Sequence, residues 1–173
     1  MIDLEFHYAI GIDIGGTYIK SGLVASSGKV LAEKALPTLP MQGKDRMIST
    51  ILDLIALHEQ TADHLSLGLA GIGIGTAGYI DGNGTVADAT DNIPGWAGTQ
   101  LGQLIGQNAG FPVTVDNDIK MIAKGEFWTG AAQSLQSFLC ISLGTGIGGC
   151  MMTDGRPYRG RDGAAKSVFD DME

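Results

Sequence analysis

Cysteine is scarce in this chain: Cys140 and Cys150 are the two it has in 173 residues. Their spacing fits no metal-ligand pattern, and both fall in apolar, strand-like runs. Two core thiols in a reduced, cytoplasmic protein are therefore expected, with a cross-strand disulfide as the alternative. Positive charge is also short. Eleven Lys and Arg stand against 19 Asp and Glu, for a formal net charge of −8. Wrapping a nucleic-acid backbone needs clustered cations, so no nucleic-acid partner is expected. Small phosphate-bearing ligands stay open, since glycine loops bind them through backbone amides. No apolar run is long enough to span a bilayer and no cationic, apolar leader opens the chain, so no membrane partner is expected. What the chain does have is apolar content, 44% of residues with mean hydropathy +0.14, and 27 glycines. That allows a sizeable core and gives no sign of disorder.

The glycines first cluster around residues 10–20. Ile10, Ile12 and Ile14 mark a strand, read as buried on both faces. Asp13 lies near its end, followed by Gly15, Gly16, Thr17 and, three residues on, Lys20. Glycine lets a backbone approach a ligand closely, and turn amides can cradle an anion. A carboxylate beside such a cradle suits a hydrated magnesium ion. A buried strand that merely ends in a Gly-Gly hairpin is the simpler alternative.

Strands are expected over 17–24 and 30–36, joined by the Ser26-Ser27-Gly28-Lys29 turn into an antiparallel meander. From residue 44 to about 60 the period changes: Ile48, Ile51, Leu52 and Ile55 line one helix face. His58 and His64 are expected to face solvent. Residues 65–80 alternate glycine with apolar side chains, which predicts a strand approached closely by a packed helix or by a ligand. Asn92-Ile93-Pro94-Gly95-Trp96 reads as a loop before a helix striped by Leu101, Leu104 and Ile105. A short strand over 112–115 ends in Asp116-Asn117-Asp118, and a helix follows over 119–129. A last strand over 137–143 breaks at Gly144-Thr145-Gly146-Ile147-Gly148-Gly149 and resumes over 150–153. This second glycine-threonine hairpin echoes Gly15-Gly16-Thr17. Two such hairpins across a cleft could hold a polyphosphate, with an N-terminal lobe over 1–114 and a second lobe beginning at 115.

With both hairpins in place, the chain resembles the ROK family of sugar kinases and sugar-responsive repressors. The matching pieces are Asp13-Ile14-Gly15-Gly16-Thr17, Gly73-Ile74-Gly75-Thr76-Ala77-Gly78-Tyr79-Ile80-Asp81, Asn92-Ile93-Pro94-Gly95-Trp96, Asn117-Asp118 and Leu143-Gly144-Thr145-Gly146-Ile147-Gly148-Gly149. The resemblance implies an actin/hexokinase-like (ribonuclease H-like) α/β fold, with the first lobe complete and the second partial. It also implies phosphoryl transfer from ATP, with Mg2+, to a hexose or N-acetylhexosamine. In that reading Asp118 is the catalytic base, for which a helix N-cap is the structural alternative. Asp13 holds magnesium through water. Gly15, Gly16, Thr17, Lys20, Gly144, Thr145 and Gly146 meet the phosphates. Gly75, Thr76, Asn92 and Asn117 stand at the sugar.

Two departures from the family pattern stand out. The helix after Asp118 reads Ile119-Lys120-Met121-Ile122-Ala123-Lys124, where the family is rich in alanine. After Ala165 the family continues with Gly-Glu and Gly-His, whereas this chain has Lys166-Ser167 and Phe169-Asp170. The sugar-binding glutamate and histidine, the zinc cysteines and the adenosine-binding half are missing from the sequence, so zinc is not expected. Residues 166–173 are expected to be a replaced or out-of-frame tail on a truncated gene. An apolar face left open by truncation implies a homodimer or other self-association. The strand bearing Asp13 begins near residue 1, which argues for the kinase branch over the repressor branch. A catalytically inactive lobe that binds sugar or phosphate and self-associates is the rival expectation.

Overall fold

The computed structural model describes residues 7–89, 93–143 and 147–158. Strands β1 (Tyr8–Ile14), β2 (Tyr18–Ala25) and β3 (Val30–Pro37) form the expected antiparallel meander. Helix α1 (Lys44–His64) carries the chain across to β4 (Leu69–Thr76), which lies parallel to β1. A small ribbon of β5 (Tyr79–Ile80) and β6 (Val86–Asp88) follows, then α2 (Leu101–Ala109). Strand β7 (Val113–Asn117) returns parallel to β4 and completes a five-stranded sheet in the order β3-β2-β1-β4-β7. Helix α3 (Asp118–Thr129) leaves that sheet directly. Strands β8 (Ser137–Leu143), β9 (Ile147–Thr153) and β10 (Arg156–Pro157) make a second, antiparallel sheet.

One face of the larger sheet carries the core. Ile10, Ile12, Ile14, Ile19, Ile72 and Ile74 point toward α1 and α2 and are at most 4% exposed. At roughly 1.5–3 kcal/mol for each fully buried aliphatic side chain, this layer is the main source of stability. The opposite face of β1 carries Gly11 and Asp13, so β1 alternates and is not buried on both sides as its isoleucines suggested. Helix α1 buries Met47, Ile51, Leu54, Ile55, His58 and Ala62, a stripe turned slightly from the expected one; Ile48 and Leu52 lie on its margin.

His58 is the clearest correction. It is 0% exposed and its Nε2 lies 2.8 Å from Ser21 Oγ on β2, whereas solvent was expected around it. A buried imidazole needs a polar partner, and the β2 serine supplies one. His64 is exposed. The boundary expected at 114/115 falls inside β7, where Val115 pairs with Ile74 and Asn117 with Thr76. The chain leaves the first sheet after Asn117, and α3 bridges the two sheets by packing on β4 and β9.

Candidate active site

The site grows from the carboxyl ends of the parallel strands β1, β4 and β7, the edge where α/β sheets place ligands. In register there, Ile14 pairs with Thr76 and Thr76 pairs with Asn117. The Gly15–Gly16 hairpin and the start of α3 are therefore neighbours in space, although about a hundred residues separate them.

Asn117 caps α3. Its Oδ1 accepts from the backbone N–H of Ile119 at 3.1 Å and of Lys120 at 3.2 Å, satisfying two orphan donors of the first turn. Its Nδ2 donates to the Gly78 carbonyl at 3.1 Å, tying the turn after β4 to the helix start. The cap is thus the residue before Asp118, and Asp118 occupies the first helical position. Asp118 Oδ1 accepts from the Ile119 N–H at 2.9 Å, which fixes the carboxylate without making it the cap.

Asp13 and Asp118 line one cleft of about 670 Å³, together with Lys20, Gly75 and Met121. Desolvation holds the Asp118 carboxyl above the ordinary carboxylate range; the Ile119 N–H opposes this and the Asp13 charge adds to it. Desolvation likewise raises Asp13, against the pull of Lys20, its cross-strand partner. Two carboxylates in electrostatic contact in one cleft form an oxygen donor set that fits a hydrated magnesium ion, which keeps most of its waters and takes one or two carboxylates.

The first hairpin is braced by a residue that the sequence reading missed. Thr38 is 1% exposed; its N–H donates to the Thr17 carbonyl at 2.9 Å and its hydroxyl to the Gly15 carbonyl at 2.6 Å. No motif contains Thr38, and its position just after Pro37 was the available signal. Gly16 and Thr17 are exposed at the hairpin tip. A Cβ built on Gly16 would meet nothing within 4 Å.

Gly75 is buried, and α3 rests on it: a Cβ there would lie 3.5 Å from the Asp118 Cα and 3.6 Å from Met121 Cβ. The close approach to this glycine-rich strand is thus that of a helix. Thr76 is 0% exposed and its hydroxyl accepts from Trp96 Nε1 at 3.0 Å. Behind the site, Asp116 is buried and accepts from Lys124 Nζ at 2.7 Å, an ion pair also absent from the sequence reading. Burial works against the Asp116 charge, but Lys124 and the Asn117 N–H hold its carboxyl below the ordinary range. Asn92, Gly144, Thr145 and Gly146 lie outside the described residues, as does the tail after Tyr158.

Cys140 and Cys150 stand opposite each other on β8 and β9 as free thiols, facing α3 with Ala123 and Met152. Among the described residues no helix is long and apolar enough to cross a membrane.

The ROK family model matches residues 9–168. A glucokinase of Thermotoga maritima is 34% identical over 154 residues, covering 89% of this chain and 47% of that protein. A xylose repressor of Caldicellulosiruptor bescii is 30% identical over 159 residues, covering 92% and 40%. Among solved structures, a ROK family glucokinase from Streptomyces griseus in complex with glucose and AMPPNP superposes with a TM-score of 0.81 at 35% identity, covering 92% of this chain and 49% of that one. The chain spans about half the length of the glucokinases it matches. With the family model covering nearly all of it, and with these strands and helices in place, the chain belongs to the ROK family and has its actin/hexokinase-like α/β fold.

Proposed function

We propose that the chain carries the catalytic aspartate and phosphate hairpins of an ATP-dependent sugar kinase acting on a hexose or N-acetylhexosamine. The observation that carries this reading is the convergence of Asp13, Lys20 and Asp118 in one cleft on the face of the larger sheet opposite its core; the Gly15–Gly16 hairpin, braced by Thr38, follows Asp13 in the chain. Phosphoryl transfer asks a protein mainly to position groups and stabilise charge. Asp118 accepts the proton of the sugar hydroxyl as that oxygen bonds to the γ-phosphorus and the bond to the ADP oxygen breaks. Its raised pKa makes it a stronger base than an ordinary carboxylate. Gly16 supports a phosphate cradle because nothing in the protein itself fills the space over it. Lys20 balances phosphate charge next to Asp13. Magnesium, held through water by Asp13, supplies charge neutralisation on the phosphate oxygens when bound. Asn117 stands beside the base and retains one Nδ2 hydrogen for a sugar hydroxyl after capping α3 and holding Gly78.

One observation favours a second reading, an inactive lobe that self-associates. The face of β8 and β9 turned away from α3 exposes Leu139, Ile141, Leu143, Ile147 and Met151 by 41–78%. Such a contiguous apolar face is a usual interaction surface. ADP release by the 173-residue chain, measured against hexoses and N-acetylhexosamines with Asp118→Asn as control, separates the two. Sugar-dependent release that disappears in the variant supports the kinase. A folded chain that releases no ADP with any sugar supports the inactive lobe.

A further inference from the structure

The two cysteines of the chain face each other in the middle of the smaller sheet. The register of β8 and β9 runs unbroken from Ser137 opposite Thr153 to Leu143 opposite Ile147, and it sets Cys140 directly against Cys150. Residues directly opposite in an antiparallel pair share a face, and here that face is the one packed against Ala123 of α3. Both thiols are free.

The backbone shows which kind of pair this is. The Met151 carbonyl accepts from the Tyr158 N–H at 2.8 Å, on the β10 side of β9. Backbone groups of successive residues point to opposite edges of a strand, so those of Cys150 point toward β8. Cys140 and Cys150 are thus a hydrogen-bonded pair, the kind whose Cα atoms stand about 5.5 Å apart, inside the span of roughly 4.4–6.8 Å that a disulfide bridges. The alternate kind of pair brings its side chains closer, so a bond here belongs with the labile disulfides that small thiols reverse.

Access to the two thiols differs. Cys140 is half-buried on β8, the edge strand of its sheet among the described residues. Cys150 is 5% exposed, packed with Ala123 and Met152, and its Sγ–H donates to the Met151 carbonyl at 3.8 Å. Burial pushes both thiols above the ordinary cysteine range, and the Glu126 charge adds to this at Cys140. One thiol is within reach of a small reagent, and the other lies behind it.

We propose that Cys140 and Cys150 are a modification site, a reversible cross-strand disulfide closed by exchange with a small-molecule disulfide. The Cys140 thiolate bonds to one sulfur of the reagent, whose S–S bond breaks and releases one small thiolate. The Cys150 thiolate then bonds to the Cys140 sulfur and expels the second. Two cysteine thiols are oxidised, the reagent is reduced to two small thiols, and the protons lost by the cysteines end on those thiols. The inference is independent of the sugar-kinase reading, although the bond closes beneath the helix that Asp118 begins.

The test is incubation of the full chain with hydroxyethyl disulfide at about pH 8.5, where thiolate is available, followed by acid quenching and non-reducing peptide mapping. One linked species joining the Cys140 and Cys150 peptides is expected, in a chain lighter by two hydrogens, with both thiols recovered on adding 2-mercaptoethanol. Cys150→Ser is expected to stop at a single mixed disulfide on Cys140. Cys140→Ser, left with the buried thiol, is expected to react about tenfold more slowly or less. Equal rates in the two variants overturn the assignment of Cys140 as the attacking thiol. A parent whose thiols both stay free, or that closes only into a Cys140–Cys140 link between copies, overturns the proposal. So does a linked species that forms to a greater extent in urea than in the folded chain, because the fold would then oppose the bond. Should the serine variants not fold, the parent's map and its urea comparison decide alone.

Discussion

At the scale of single residues, Asp118 and Gly16 set function against stability in opposite ways. The fold raises the pKa of Asp118, so its charged form is less favourable folded than unfolded. The charge therefore costs stability once pH exceeds the ordinary carboxylate value, and fully so above the raised one. Asp118→Asn is expected to increase stability at pH 7 by about 0.5–2 kcal/mol, measured by urea denaturation. The same variant is expected to lose about 10²–10⁴-fold in turnover, measured as ADP release. In the parent, the acidic limb of the rate profile is expected above the ordinary carboxylate pKa of about 3.9. Gly16→Ala is expected to leave stability within about 0.5 kcal/mol, since a methyl there meets no atom within 4 Å. If a phosphate lies against that backbone, the KM for ATP rises about tenfold or more, because small displacements of bound reactants are costly. An unchanged KM would remove Gly16 from the cradle.

At the scale of elements, α1 and α3 are each secured by a polar contact with a buried side chain. Helix α1 is locked to β2 by His58 and Ser21, which are 37 positions apart. Burial lowers the His58 pKa, and the Lys34 charge lowers it further. The unfolded chain therefore takes up a proton near pH 6.5 that the folded chain takes up only at lower pH. Stability is expected to fall as pH drops from about 6.5 toward that lower value, and His58→Gln should flatten this slope in denaturant titrations. Helix α3 is held at its root by Asp116 and Lys124. Lys124→Met removes one partner of a buried carboxylate and is expected to cost about 1–3 kcal/mol, read as a lower Tm. What the sequence made legible at this scale is local: the β1–β3 meander from its turn residues, α1 from its period, and a strand followed by a helix around Asp116–Asp118, with the strand expected to end at 115 and the helix to begin at 119 where the structure has 117 and 118. Periodicity found α1 but not its orientation, because a histidine lies at a core position of its stripe. The alternation on β4 announced a close approach without naming the helix that makes it. Thr38 on the hairpin and Thr76 on Trp96 are pairings across 23 and 20 residues, and no spacing rule encodes them.

At the scale of the whole molecule, the two sheets are unequally covered. The larger buries one face beneath α1 and α2, while the smaller has α3 on one face and leaves Leu139, Ile141 and Met151 open on the other. Sedimentation velocity is expected to show association that grows with protein concentration, and Ile141→Lys is expected to shift the chain toward monomer. Added salt should strengthen that association, since each copy carries a net charge of −8. Helix α3 touches both sheets, with Met121 over Gly73 and Gly75 of β4 and Ala123 within the cluster that includes Cys150 and Met152 of β9. It is therefore the axle of the molecule. At that axle's first turn the Ile119 side chain meets Gly148 of β9, so the hairpin end of the smaller sheet bears directly on the residue that follows Asp118.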